Sequence, residues 1–258
     1  RTPITVIAGF AETLLTLDID ESARREYIGS ILKQSQTMQR LVDDLLTLSS
    51  LESGDDQLDE EQVDLLLLLE GLVDEGRVLS HDRHRLNLEF DGPRRVLAAP
   101  GEIESAVRNL LTNAIRYTPD GGRISVGWRT QDSEGRISVR DTGIGIPAEH
   151  IPRITERFYR VDRGRSRATG GTGLGLAIVK RIMHRHQGRL DFDSAPGKGS
   201  VFTLCLPAAR LVPDPAAPHK AEADVPAGSA GEEPAQLHAV RRDTQEEGGE
   251  PPLSAGVA

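Results

Sequence analysis

The sequence is poor in cysteine, in aromatic residues and in long apolar runs. Its single cysteine, Cys205, excludes a disulfide bond within the chain. The residues around Cys205 alternate like a strand, which predicts a buried, reduced thiol in a cytosolic setting. Aromatic residues make up only 3% of the chain, so the core must be built from Leu, Ile, Val and Ala. The longest apolar run, Leu65 to Leu69, is far shorter than the roughly 20 residues that a membrane-spanning helix needs.

Negative charge is concentrated at the C-terminal end. The net charge is −9, and residues 211–258 account for −6 of it, which leaves −3 for the rest. This tail is rich in Pro, Ala, Gly and Glu, so burial cannot offset the entropy lost on ordering it, and we predict a disordered acidic tail over 211–258. The nearly balanced remainder lacks the basic field of a nucleic-acid-binding protein, so no nucleic-acid partner is expected.

The first 52 residues have the spacing of two amphipathic helices. Apolar residues recur every three or four positions from Ile4 to Leu15 and again from Ile28 to Leu48. The second stripe is heptad-like, and one hairpin cannot bury both stripes by itself. We predict that residues 1–52 form a helical hairpin that dimerises into a four-helix bundle; packing of the hairpin on the chain's own second domain is the alternative. The polar residues 53–62 indicate a linker.

Residues 63–207 alternate between helical and strand patterns. This alternation predicts an α+β domain, in which a sheet carries helices on one face. The predicted helices span 65–79, 101–117 and 173–187, and the predicted strands span 86–90, 95–98, 123–130, 136–140, 189–192 and 200–206.

Three short segments of this domain carry residues suited to a nucleotide. The first lies on the predicted helix 101–117, where Asn109 and Asn113 are four residues apart and so point the same way. Their neutral amide oxygens suit Mg²⁺ that phosphates already neutralise in part, although asparagines at this spacing also occur as solvated or capping residues. Arg116 and Tyr117 follow, and they offer a cation for phosphate and a ring for a nucleobase.

The second segment starts at Asp141, at the end of a predicted strand. The carboxylate could accept a hydrogen bond from an adenine amino group, while Gly143 and Gly145 would let the backbone approach a flat ligand. Taken alone, the same pattern describes a strand followed by a tight turn.

The third segment runs from Gly170 to Leu176, directly into a helix. Free backbone N–H groups and the positive end of that helix can hold phosphate oxygens. The cofactor-binding residues predicted here are Gly171, Thr172, Gly173, Leu174 and Gly175. Between the second and third segments, residues 151–170 predict a mobile lid, with Phe158 as its anchor and Arg160 near the terminal phosphate.

In this order, the three segments, together with Arg1-Thr2-Pro3 and Phe158, resemble the catalytic half of bacterial sensor histidine kinases over residues 1–210. The resemblance implies a dimerisation hairpin followed by a Bergerat-type (GHKL) ATP-binding α/β sandwich. It implies ATP and Mg²⁺ as cofactors, and a homodimer that passes the γ-phosphate to a histidine and then to an aspartate of a response-regulator receiver domain. The residues that it assigns are Asn113 and Asn109 to the metal, Tyr117 and Asp141 to adenine, and Arg160 to the phosphates as a catalytic residue.

In such kinases the phosphoacceptor histidine precedes the Arg-Thr-Pro motif. The resemblance therefore places the acceptor before Arg1, and the sensor and membrane-anchoring part further upstream. The seven histidines of this sequence all lie outside 1–52. We expect the chain to bind Mg²⁺ and ATP without phosphorylating itself. Thr2 stands where related kinases align water for dephosphorylation of the receiver, although helix capping accounts for it equally well.

The segment from His150 to Asp162 further resembles the phosphate-regulon subgroup. This likeness implies phosphate limitation as the signal and a location at the cytoplasmic side of the bacterial inner membrane. Two alternatives stay open. One is another ATPase or protein-serine kinase that uses the same nucleotide-binding sandwich as a monomer. The other is a non-catalytic module that binds receivers but no nucleotide.

Overall fold

The computed structural model describes residues 3–53, 58–161 and 171–213. Two helices, α1 (Pro3–Thr16) and α2 (Glu21–Ser53), come first. An α/β sandwich follows, so the predicted combination of a helical hairpin and a GHKL-type sandwich is confirmed. The predicted disordered tail lies outside the described residues, apart from its first three. Within the described ranges, no helix is long and apolar enough to cross a membrane.

The hairpin is closed by a short acidic turn. Asp20 accepts a hydrogen bond from the backbone N of Ala23 at 2.7 Å and so caps the first turn of α2. The rings of Phe10 and Tyr27 stack across the two helices with their centroids 5.0 Å apart. The Asp20 cap thus begins α2 directly after the turn, and the stacked rings of Phe10 and Tyr27 join α2 to α1.

The apolar stripe of α2 has two different environments. Leu48 and Leu51, near its C-terminal end, are buried against the sandwich. Ile28 and Val42 are both 52% exposed. The predicted alternative, a hairpin packed on the chain's own second domain, thus holds for the end of α2, whereas Ile28, Val42 and Leu45 of the stripe are exposed.

The predicted helices and strands of the sandwich are all present, with ends that differ by a few residues. Its helices are α3 (Leu65–Ser80), α4 (Pro100–Tyr117) and α5 (Gly175–Arg185). Its strands are β1 (Glu61–Asp64), β2 (Arg85–Asp91), β3 (Arg95–Ala98), β4 (Arg123–Gln131), β5 (Glu134–Asp141), β6 (Arg189–Ala195), β7 (Gly199–Leu206) and β8 (Leu211–Val212).

The main sheet has five strands in the order β2-β4-β5-β7-β6. The pair β2 and β4 is parallel, and the other pairs are antiparallel. Alternate residues of the central strands are buried because successive side chains of a strand point to opposite faces. Val126, Val139 and Phe202 lie side by side in this register and form one row of the core beneath the helices. Cys205 of β7 is buried, as predicted.

A second, three-stranded sheet in the order β1-β3-β8 was not predicted. The sequence predicts a linker over 53–62 and a tail from 211, but β1 begins at Glu61 and β8 begins at Leu211. Strands of two and four residues are too short to show a period of two, and only their pairing with β3 makes them regular.

One buried arginine fastens this small sheet to the end of α5. The guanidinium of Arg210 donates hydrogen bonds to the carbonyl oxygens of His186 and Leu97, and its Nη2 lies 2.7 Å from Oε1 of Glu60. His186 is fully buried, and its Nε2 accepts a hydrogen bond from the backbone N of Ala99. Burial lowers the pKa of His186, which favours the neutral ring that this contact requires.

We expect Arg210→Ala to lower the free energy of unfolding by about 2–4 kcal/mol, because it leaves two carbonyl groups buried without their donor. Urea unfolding followed by circular dichroism measures the change. Arg129→Ala, at an exposed position of β4, is the matched control and should change the stability by less than about 0.5 kcal/mol. Equal midpoints for the two variants would contradict a role for Arg210 in fastening the sheet.

Candidate functional site

A cavity of about 710 Å³ opens between α4, the segment after β5 and the start of α5. Most of the predicted site residues line it: Asn109, Asn113, Arg116, Tyr117, Asp141, Gly145, Arg160, Gly171, Thr172, Gly173 and Gly175. Two predicted residues do not line it: Leu174 is fully buried in the hydrophobic core, and Gly143 is buried outside the cavity lining. Thr2 lies outside the described residues. The three segments that the sequence singles out therefore meet in one place.

Backbone contacts hold the first two segments together. The backbone N of Ile144 donates to the carbonyl oxygen of Tyr117 at 3.1 Å, which joins the segment after β5 to the end of α4. A Cβ on Gly143 would lie 2.5 Å from that carbonyl oxygen, and one on Gly145 would lie 1.9 Å from the carbonyl oxygen of Ala195. Close contact with the protein's own backbone is therefore enough to require glycine at both positions.

Asp141 lines the cavity and is 7% exposed. Its Oδ1 accepts a hydrogen bond from the backbone N of Gly143 at 2.7 Å, and in the sheet it pairs with Ser200. Burial raises the pKa of Asp141, while the backbone donors of Gly143 and Ser200 oppose that rise. A buried carboxylate with remaining lone pairs is a strong acceptor for a ligand's amino group.

Tyr117 lies at the end of α4 and is 39% exposed. Its ring is therefore accessible to a planar base, and Ile144 and Ile146 add apolar surface to the same wall. An apolar wall with one buried acceptor is the usual arrangement for an orienting pocket.

Asn109 and Asn113 lie on the cavity side of α4. The Nδ2 of Asn109 donates to the carbonyl oxygen of Ser105 at 2.9 Å, which directs its amide oxygen away from the helix. A Cβ on Gly175 would lie 2.5 Å from that oxygen, so α5 begins directly beside it. The two amides suit a hard cation that phosphates share. Among the described residues, no group of three His, Cys, Asp or Glu side chains could hold a metal by itself.

The end of the cavity beside Gly171 is cationic. Arg116 and Arg160 flank Gly171, and α5 begins at Gly175 with its positive end at the same place. Burial lowers the pKa of the Arg116 guanidinium, and the charges of Arg40 and Arg160 lower it further. Since an arginine stays protonated in proteins, a cluster of this kind is stabilised by a bound anion.

The predicted lid is described only up to Val161. Phe158, its predicted anchor, is 56% exposed, with φ at +61°, and its backbone N donates to Gly173. The residue that packs inward is Tyr159, whose hydroxyl lies 2.7 Å from Nδ1 of His150. The prediction of Phe158 as an anchor is therefore wrong in this conformation. The basic part of the lid, 163–170, lies outside the described residues.

Residues of α2 also line the cavity, which the sequence gives no reason to expect. Arg40 and Asp44 reach it from the hairpin, and Oγ1 of Thr172 donates to Oδ2 of Asp44 at 2.6 Å. Neither residue stands in a recognisable motif. Only the packing of α2 against the sandwich brings them to the site.

Comparison with protein families defines the class of both parts. Residues 98–210 match the family of histidine kinase-, DNA gyrase B-, and HSP90-like ATPases. Residues 1–54 match the His Kinase A (phospho-acceptor) domain. The chain therefore combines a phosphoacceptor-type hairpin with an ATPase-type domain, and the cavity lies in the second of these.

Sensor kinases are similar to this chain over most of its length. The phosphate regulon sensor protein PhoR of Pseudomonas aeruginosa is 45% identical over 205 residues, which are 79% of this chain and 46% of that protein. The sensor-like histidine kinase SenX3 of Mycolicibacterium smegmatis is 37% identical over 217 residues, 83% of this chain and 56% of that protein. The chain belongs to the sensor histidine kinase family and spans about half the length of these relatives.

Two solved structures have the same fold over most of the chain. Full-length ShkA in complex with AMPPNP is 26% identical, with a TM-score of 0.61, over 80% of this chain and 43% of that one. Histidine kinase ThkA in complex with the response regulator protein TrrA is 25% identical, with a TM-score of 0.63, over 81% of this chain and 58% of that one.

We expect Asp141→Asn to weaken ATP binding about tenfold to hundredfold, because it removes a charge-assisted acceptor from a buried position. Isothermal titration with ATP measures the loss. The control is Asp120→Asn, which changes an exposed carboxylate paired with Arg83 on the loop after α4 and should leave the affinity unchanged. Equal affinity of Asp141→Asn and the unsubstituted protein would remove Asp141 from the nucleotide site.

Proposed function

We propose that this chain is the kinase part of a sensor histidine kinase. It binds ATP with Mg²⁺ in the cavity and transfers the γ-phosphoryl group of ATP to a histidine. The phosphoryl group then passes to an aspartate of a response regulator. The observation that carries the proposal is that an amide pair, a buried acceptor and a cationic glycine-rich helix start line one cavity. The family match and the nucleotide and response-regulator complexes of ShkA and ThkA support it.

The residues of the site divide the work along the cavity. Asp141 accepts a hydrogen bond from the adenine amino group, and Tyr117 packs on the ring. Arg116, Arg160 and the N–H groups at the start of α5 hold the phosphates and stabilise the charge that develops during transfer. Asn109 and Asn113 would hold Mg²⁺, which would neutralise part of the phosphate charge. The protein thus contributes position and charge, since phosphoryl transfer needs little other help.

The acceptor histidine is proposed to lie outside this sequence. None of the seven histidines lies within 1–52, and His84 and His186 of the sandwich are buried in structural hydrogen bonds. Thr2 remains proposed as the residue that aligns water for removal of phosphate from the receiver. The exposed stripe of α2 supports a homodimer through the hairpin.

We expect the 258-residue polypeptide to bind Mg²⁺ and ATP but to acquire no acid-labile, base-stable label from radioactive ATP. The same polypeptide extended upstream of Arg1, to include the histidine that the family places there, should acquire that label. Asp141→Asn in the extended polypeptide should lose most of it. A base-stable label on the unextended polypeptide would contradict the placement of the acceptor, and failure to bind any nucleotide would favour a non-catalytic receiver-binding module.

We expect Val42→Glu to shift the protein from dimer to monomer, because it places a charge on the uncovered stripe of α2, where an apolar partner is proposed. Multi-angle light scattering measures the mass. Gln39→Glu adds the same charge at another exposed position of α2 and should leave the dimer intact. A monomeric unsubstituted protein would instead favour an ATPase or protein-serine kinase of the same fold.

The signal is proposed to be phosphate limitation. The support is the name of the Pseudomonas aeruginosa relative and its 45% identity, together with a second phosphate regulon sensor protein, from Haemophilus influenzae, at 34% identity. The same relationship supports a position at the cytoplasmic face of the inner membrane, reached through a part of the protein outside this sequence.

A further inference from the structure

One turn of the hairpin helix α2 forms part of the nucleotide cavity. Arg40 and Asp44 are four residues apart, so they lie on the same face of α2, and both line the cavity. The contact is specific, because Oγ1 of Thr172 donates to Oδ2 of Asp44 at 2.6 Å. Thr172 stands in the glycine-rich segment that leads into α5, where the phosphates are proposed to bind.

The Asp44 carboxylate lies within the cationic end of the cavity. Burial raises the pKa of Asp44, and the positive charges of Arg40 and Arg116 act in the opposite direction. Arg40 and Arg116 both line the cavity, and the positive charge of Arg40 lowers the pKa of Arg116. Asp44 therefore supplies negative charge where a nucleotide would bring its phosphates.

Three contacts further along α2 hold this carboxylate in place. Leu48 and Leu51 are buried against the sandwich. The Nε of Arg181, on α5, donates to the carbonyl oxygen of Leu51 at 3.0 Å, and Glu52 forms an ion pair with Arg157. The position of Asp44 is thus fixed by the docking of α2 and not by its own hydrogen bond alone.

We propose that Asp44 is a built-in anion that competes with the nucleotide phosphates for Thr172 and for the positive charge of Arg116. The proposal rests on nucleotide binding in this cavity. Two anions cannot share one cationic site without repulsion, so docking of α2 in this arrangement and binding of the triphosphate oppose each other. By linkage, the nucleotide weakens the docking of α2 by the same factor by which docked α2 weakens the nucleotide. Nucleotide binding in the cavity is thereby coupled to the docking of α2 on the sandwich.

The test is the affinity of the Asp44→Asn variant for adenosine, AMP, ADP and ATP, measured by isothermal titration in the presence of Mg²⁺. The substitution keeps the size of the side chain and one oxygen that can accept the hydrogen bond of Thr172, and it removes the charge. We expect ATP to bind about threefold to tenfold more tightly to the variant, with a smaller gain for ADP and no gain for uncharged adenosine, because only the repulsion between charges is relieved.

Two matched variants separate this effect from others. Asp43→Asn removes the neighbouring charge, which is exposed and does not line the cavity, and should leave the ATP affinity within about twofold. Glu52→Gln breaks a docking contact outside the cavity, so any gain that it gives should be smaller than the gain with Asp44→Asn.

Three results would overturn the proposal. Unchanged or weaker ATP binding by Asp44→Asn would show that the carboxylate positions the glycine-rich segment instead of opposing the nucleotide. An equal gain for adenosine and ATP would exclude competition between charges, and a gain with Asp43→Asn as large as that with Asp44→Asn would exclude a specific site. In each case ATP binding by the unsubstituted protein leaves the proposed function intact, whereas no ATP binding by either protein would refute both.

Discussion

The site depends on the close approach of two stretches of backbone. The segment after β5 lies against the end of α4, where Ile144 donates to the carbonyl oxygen of Tyr117, and against the β6–β7 turn, where Gly197 donates to Ile144. Both contacts need glycines at 143 and 145, because a Cβ at either position would overlap a neighbouring carbonyl oxygen. This packing brings the acceptor of one segment and the amides of another to the same cavity.

The cavity lining carries both a buried carboxyl group, that of Asp141, and a buried guanidinium, that of Arg116. Burial raises the pKa of Asp141 and lowers that of Arg116, so burial disfavours the charged form of each group. A ligand that has both hydrogen-bond donor groups and negative charge complements Asp141 with the former and Arg116 with the latter.

Long periodic segments and turn residues were predictable from the sequence. The helix that carries Asn109 and the strand that ends at Asp141 lie where their patterns predict, since one buried face imposes a regular spacing. The short strands β1 and β8 were missed, because too few residues are present to show a period. The contributions of Arg40 and Asp44 to the cavity were also missed, since contacts between domains leave no local signal.

The backbone position of Phe158 was predictable from the sequence, but the direction of its side chain was not. The order of the motifs predicts its neighbourhood correctly, because its backbone bonds to Gly173 of the next segment. Its side chain nevertheless faces solvent, and Tyr159 takes the inward position. Which of two adjacent aromatic residues packs inward is decided by the backbone dihedral angles of the segment, and φ at Phe158 is positive.

The connection between β5 and β6 shows how such a site can diverge. At Asp141 the chain leaves the sheet, and it returns at Arg189 to an edge strand that pairs with β7. The strands on either side of this excursion keep their register whatever its length, and the entropy of closing a loop rises only slowly with added residues. An added or deleted residue within this excursion would thus leave the pairing of β5 and β6 with β7 unchanged.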